Sequence, residues 1–187
     1  MELAVLLPIA AFIALAAGLA VVLRGTGRIV ARTREVERFK SAVKDLATRV
    51  DASLDGAAAE IDAVRRRQVD PTAIIETISA AVDAVQRYAD EARGLQGPRR
   101  AQQIRTDLIA DLERAERALG MVEHGTSLMA TIRRGPRELE AQTSLKRGYL
   151  NLIHAREAIA RHALAAQELE TDEAAAAAAA KADRWSA

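Results

Sequence analysis

From Leu3 to Leu23 every position is uncharged, 21 residues without a break, and Arg24, Arg28, Arg32 and Arg34 follow at once. Beyond them the pattern changes from uniformly apolar to periodic. Ile29, Val36, Val43, Val50, Ala57 and Val64 recur every seventh residue, with Phe39, Leu46, Leu54 and Ile61 at the alternate seam positions. A seven-residue apolar repeat keeps one stripe of a helix facing a partner, so this segment reads as a long bundle or coiled-coil helix. A second segment carries Ile74, Ile78, Ala81, Val85, Tyr88 and Ala92 at helical spacing. A third carries Ile104, Leu108, Leu112, Ala115, Leu119 and Val122, with Met129 and Ile132 still in step past Gly125. The fourth carries Leu145, Tyr149, Leu152, Ile159, Ala166 and Leu169. No stretch alternates with period two, the signature of a half-buried strand, so no strand is expected.

Asp70-Pro71, Gly97-Pro98 and Gly135-Pro136 punctuate these segments. Proline suits the first position of a helix, where its missing N–H would be unsatisfied in any case, so each pair predicts a helix start. Arg65, Arg66 and Arg67, and later Arg133 and Arg134, fall where a basic residue complements the dipole of a helix end. The expected fold is all-α: an N-terminal single transmembrane helix (1–24), then an antiparallel bundle of about four long, coiled-coil-like helices (25–170). The helices are expected at about 28–68, 72–94, 98–134 and 136–170. The segment 171–187, which holds the alanine run 174–180, reads as a fraying or disordered tail, because polyalanine forms helix readily but has little surface to bury.

Unequal helix lengths, about 60, 35, 55 and 50 Å at the usual rise, predict two unpartnered ends. One is the base of the first helix, where Ile29, Val36 and Val43 would form an oligomer seam. The other is the tip of the last hairpin, around His124 to Arg137, where Arg133, Arg134 and Arg137 are candidates for binding a protein partner or polyanion. Ala10, Ala14 and Gly18, four apart in the apolar run, would let two spans approach closely.

The apolar run is about as long as a hydrocarbon core is thick, and its basic flank lies on one side only. That places the N-terminus outside and the helical body in the cytoplasm, in a single-pass protein of the cell membrane. Arg24, Arg28, Arg32 and Arg34 then either set the topology or hold anionic headgroups as well. Arg99 and Arg100 fall in a turn expected to face the bilayer. The alternative is secretion after cleavage, since Ala14-Leu15-Ala16 and Gly18-Leu19-Ala20 resemble a processing site. A signal peptide, however, has a basic leading region and a shorter apolar stretch.

Composition limits the chemistry. Half of the residues are hydrophobic but only 3% are aromatic, so the core is mainly Ala, Leu, Val and Ile, which suits close helix packing more than an aromatic-lined pocket. A net charge of +1 gives no overall attraction to nucleic acid, and no small-molecule substrate suggests itself. With no cysteine, disulfides and thiolate metal sites are excluded. His154 and Glu157 share a helix face and His162 lies two turns beyond His154, but the facing glutamates of a di-iron bundle do not occur. His162 falls beside the apolar seam, as a core-edge residue, and Asp107 and Asp111 read as surface salt-bridge partners of Arg105 and Arg114. There is no phosphate loop, nucleophile elbow or zinc-protease motif. No catalytic, cofactor or metal site is expected.

Arg66-Arg67 is followed nine residues on by Ile75-Glu76-Thr77-Ile78. With one amino-terminal span and a helical body, this resembles the LemA family of bacterial membrane proteins, which have a basic pair followed by an apolar-Glu-Thr-apolar stretch. The family usually has Asp-Leu-Ile-Pro-Asn in between, whereas this chain has Gln68-Val69-Asp70-Pro71-Thr72, with the proline out of register. The resemblance covers about a dozen residues and implies a membrane-bound helical body, without a defined biochemistry. The function expected from the sequence is that of a non-enzymatic, membrane-anchored helical scaffold or adaptor. It would act through helix-to-helix contacts with itself or a membrane protein. The alternative is a regulatory or sensory accessory subunit of a larger bacterial membrane complex.

Overall fold

The computed structural model describes residues 2–131 and 136–169, with side chains from residue 31 onward except at position 136. The described residues form four α-helices: α1 (Glu2–Arg65), α2 (Ile75–Gly94), α3 (Gln102–Thr131) and α4 (Pro136–Gln167). Short 3-10 turns, Pro71–Ile74 and Arg99–Ala101, lead into α2 and α3. There is no strand among the described residues. The chain divides into two units, residues 1–37 with 170–187, and residues 38–169. In the first, residues 2–37 are helical, so the first helix begins far upstream of position 28. The second, residues 38–169, is a helical bundle.

Among the residues whose side chains are described, no helix is long and apolar enough to cross a membrane. The run Leu3–Leu23 lies in the part of α1 described by its backbone alone, and the tail 171–187 lies outside the described residues.

In the bundle the heptad positions of α1 are the core. Phe39, Val43, Leu46, Val50, Leu54, Ile61 and Val64 are buried together with Ile78 and Val85 of α2, Leu108, Leu112 and Leu119 of α3, and Leu145, Leu152 and Ile159 of α4. Polar contacts between helices fix the arrangement. Arg49 of α1 reaches Glu91 of α2, and Ser53 bonds Tyr88 at 2.9 Å. Gln86 of α2 donates to Glu116 of α3 at 2.7 Å. Arg156 of α4 donates to both Asp51 and Asp55 of α1, and Gln167 donates to the Lys40 carbonyl. Each helix therefore runs antiparallel to its neighbours, with α1 against α2 and α4, and α3 between those two on the opposite side.

Proline and glycine do not act alike at the three turns. Pro71 sits at the first position of its 3-10 turn, and the Asp70 carboxylate caps it by accepting from the Thr72 amide at 2.8 Å. Pro98 stands one place earlier than expected, as the N-cap of the second 3-10 turn. Gly97 beside it is required for space, since a Cβ there would lie 2.6 Å from the Phe39 ring. Pro136 begins α4.

The close approach of α3 and α4 depends on two more glycines. A Cβ on Gly125 would lie 2.9 Å from the Ala141 carbonyl oxygen and the Leu145 nitrogen. One on Gly148 would lie 2.7 Å from the Ala118 carbonyl oxygen and from Val122. Helix backbones this close exclude any side chain at the crossing, which explains why Gly125 sits inside an otherwise regular helical pattern.

Candidate functional site

The end of the bundle where α1 stops and α4 starts is the most distinctive surface. The Arg67 amide donates to the Val64 carbonyl and the Gln68 amide to the Ala63 carbonyl, both at 2.9 Å. This is the double hydrogen bond of a Schellman helix end, whose turning residue is left-handed and usually glycine. Here it is arginine, with φ of 61°. A left-handed non-glycine residue costs about 1–2 kcal/mol, so the turn keeps this side chain against a backbone penalty.

Arg67 lines a cleft of about 440 Å³ with Val64, Asp70, Met129, Glu138 and Gln142. Its guanidinium is 3.5 Å from the Glu138 carboxylate, a wide and solvent-exposed pairing. A smaller adjoining cleft is lined by Arg65, Gln142, Leu145 and Lys146. The Arg65 guanidinium stacks over the Tyr149 ring, 4.9 Å from its centre, and Arg65 and Arg66 both bind Asp62. The Arg65 hydrogen bond holds the Asp62 carboxyl below its ordinary range, and Thr72 does the same for Asp70. The arginine triplet thus ends α1 with two members paired locally and the third turned to the cleft.

The predicted site residues are distributed as follows. Arg32 and Arg34 are exposed on α1, while the side chains of Arg24, Arg28 and Ile29 lie outside the described residues. Arg133 and Arg134 also lie outside them, and Arg137 is exposed in the first turn of α4. Val43 is fully buried and Val36 is 3% exposed. Val43, buried within its own bundle, therefore does not belong to an exposed seam as expected. Phe39 and Val43 belong to the intramolecular core, closed by the Gly97 turn and by α4 through the Gln167 bond to Lys40. Beside the described part of the last hairpin, Arg67 meets Glu138 and Val64 shares a cleft with Met129, while residues 132–135 of its tip lie outside the described residues.

The histidines separate by environment. His124 and His154 are exposed, whereas His162 is at the edge of the core as its spacing indicates. Its Nε2 is 2.8 Å from Oδ2 of Asp111, whose Oδ1 accepts from Arg114. An ionised carboxylate only accepts, so the Nε2 of His162 carries the proton. Asp111 corrects the reading of a surface ladder: it is 7% exposed and faces α4. Helical spacing alone could not separate it from Asp107, which binds Gln103 on its own helix. Both Asp111 oxygens are occupied, so the group behaves as a satisfied polar inlay and does not present a free base. Among the described residues no group of three His, Cys, Asp or Glu could hold a metal ion.

At the far side of α4, Leu139, Leu150 and Leu164 are 70%, 43% and 66% exposed. Three large apolar side chains of α4 are thus left in solvent. Comparison of the chain with protein-family models, with curated proteins and with solved structures finds no match, and the LemA-like spacing gains no support from a family match.

Proposed function

We propose that the chain is a non-enzymatic helical scaffold or adaptor, tethered to the cell membrane by Leu3–Leu23, with its bundle in the cytoplasm. The tether reading is supported by an uncharged run of 21 residues, about 31 Å as a helix, followed directly by four arginines. The same helix α1 carries that run and the first helix of the bundle. The adaptor reading is carried by one observation: α4 buries Leu145, Leu152 and Ile159 on one side and exposes three leucines on another. A helix with apolar residues on two faces has one more face than its own bundle uses, as an interaction module requires.

The absence of cysteine makes the test direct, because any introduced cysteine is a single reporter. The tether reading expects the chain to stay with membranes through alkaline carbonate extraction. A cysteine placed in the bundle should resist impermeant maleimide in intact cells and one at position 2 should react. Release into the carbonate supernatant would refute the tether, and labelling of the bundle from outside would refute the orientation.

A further inference from the structure

We infer that the outer face of α4 is a self-complementary seam on which a second copy of this chain docks antiparallel. This deepens the helix-to-helix reading above by naming the occupant, and it rests on that reading.

At 100° per residue, Leu139, Leu150 and Leu164 fall within an arc of about 40° on α4. They belong to a complete second heptad register, Leu139, Thr143, Lys146, Leu150, Ile153, Glu157, Ala160 and Leu164, on the side opposite Ala141, Leu145, Leu152 and Ala155, which face the core. The two charges in this register decide the geometry. A parallel pairing would set Lys146 against Lys146 and Glu157 against Glu157. In an antiparallel pair centred between Asn151 and Leu152, Lys146 meets Glu157 of the second copy, Leu139 meets Leu164, Leu150 meets Ile153 and Thr143 meets Ala160. Every contact then recurs by two-fold symmetry. Sliding the pair by one heptad in either direction places Lys146 against leucine and Glu157 against leucine or isoleucine. One orientation and one register thus match charge to charge and leucine to leucine or isoleucine, with Thr143 on Ala160 the one mixed contact.

The flanks agree. Glu140 and Arg161, both exposed, stand beside the seam at positions that oppose each other across the pair. Among the described residues Lys146 and Glu157 have no ion-pair partner within their own chain. A groove of about 290 Å³ lined by Asp51, Ile153, Arg156, Glu157 and Ala160 runs along one side of the seam, with Arg156 already paired to Asp51. It is positioned as a hole for Leu150 of the second copy, beside the Glu157 carboxylate that Lys146 would meet. The seam from Leu139 to Leu164 is about 39 Å long, enough for seven helical turns of contact.

The mass of the full chain in density-matched detergent, by sedimentation equilibrium, tests the inference. The expected result is a dimer that Lys146→Glu or Glu157→Lys each weakens by about tenfold or more and that the double exchange restores. A disulfide should form between one copy carrying Leu150→Cys and another carrying Ile153→Cys. Both sites touch solvent, so the bundle tolerates these changes, and helicity by circular dichroism confirms it. A single-chain mass at ~100 µM would overturn the proposal, as would a dimer indifferent to both charge reversals and to Leu164→Glu. Carbonate extraction is read separately, so a monomer that remains membrane-bound sinks the seam and leaves the tether standing.

Discussion

Replacing glycine by alanine inside a helix ordinarily stabilises it, by about 1 kcal/mol, because alanine loses less backbone freedom on folding. The bundle offers this substitution in two opposite settings. Gly120, on the exposed side of α3, has nothing within 4 Å of where a Cβ would lie. Gly148 of α4 has the Ala118 carbonyl oxygen and Val122 at 2.7 Å and the Val122 nitrogen at 3.0 Å. Two of those three neighbours are backbone atoms and cannot rotate away, so α4 must move off α3 by several tenths of an ångström. Such overpacking costs about 1–3 kcal/mol, against the same propensity gain of about 1. Gly120→Ala should therefore stabilise by about 0.5–1 kcal/mol and Gly148→Ala destabilise by about 1. At about 2–4 °C per kcal/mol for a chain of this size, the two midpoints should differ by about 3–8 °C. Thermal unfolding of the full chain in mild detergent, followed at 222 nm, reads the difference. Equal or greater stabilisation by Gly148→Ala would refute the close crossing of α3 and α4.

Arg67→Gly should raise the unfolding midpoint, since it relieves about 1 kcal/mol of left-handed backbone cost and loses only an exposed, 3.5 Å pairing with Glu138; a lower midpoint would show that the side chain holds the turn. His162→Ala should cost about 1–3 kcal/mol by leaving the Asp111 carboxylate short of a partner, and the Asp111→Leu/His162→Leu double variant should recover much of it. A double variant as unstable as the sum of its singles would show that the pair does not interact. Asp62 and Asp70 have folded-state pKa values below their ordinary 3.8, so the stability they contribute is complete above that value and is lost as pH falls through the folded values. Asp62→Asn and Asp70→Asn should flatten the acid limb of a stability–pH curve below about pH 4 and leave its neutral region nearly level; an unchanged acid limb would contradict both assignments.

Helices were legible because their signal is local. The heptads of α1 and the spacing of α2, α3 and α4 place the right residues inwards, and Asp70-Pro71 and Pro136 mark real starts. What the periodicity could not give was the depth at which each helix meets its neighbours. Helix lengths taken alone left Val43 exposed, whereas it is buried in the core with Phe39, against which the Gly97 turn packs. Asp111 was misread for a related reason: the partner that draws it inward, His162, is 51 positions away, and spacing along one helix carries no information about it. The second seam of α4 is itself a seven-residue repeat, visible in the letters, but only burial distinguishes it from the seam that faces the core.

The contact between α3 and α4 is built largely of small and aliphatic groups, such as Ala115, Ala118, Leu119, Ala141 and Ala155, which would pack almost as well one turn out of step. The inlay of Asp111, His162 and Arg114 removes that degeneracy. A slip of one turn, about 5.4 Å, would take the imidazole out of reach and leave the carboxylate facing alanine and leucine. It would also carry Gly125 and Gly148 away from the carbonyls they accommodate. Two notches and one polar key thus turn a slippery hairpin into an indexed joint, and the outer face of α4 inherits its position from that setting.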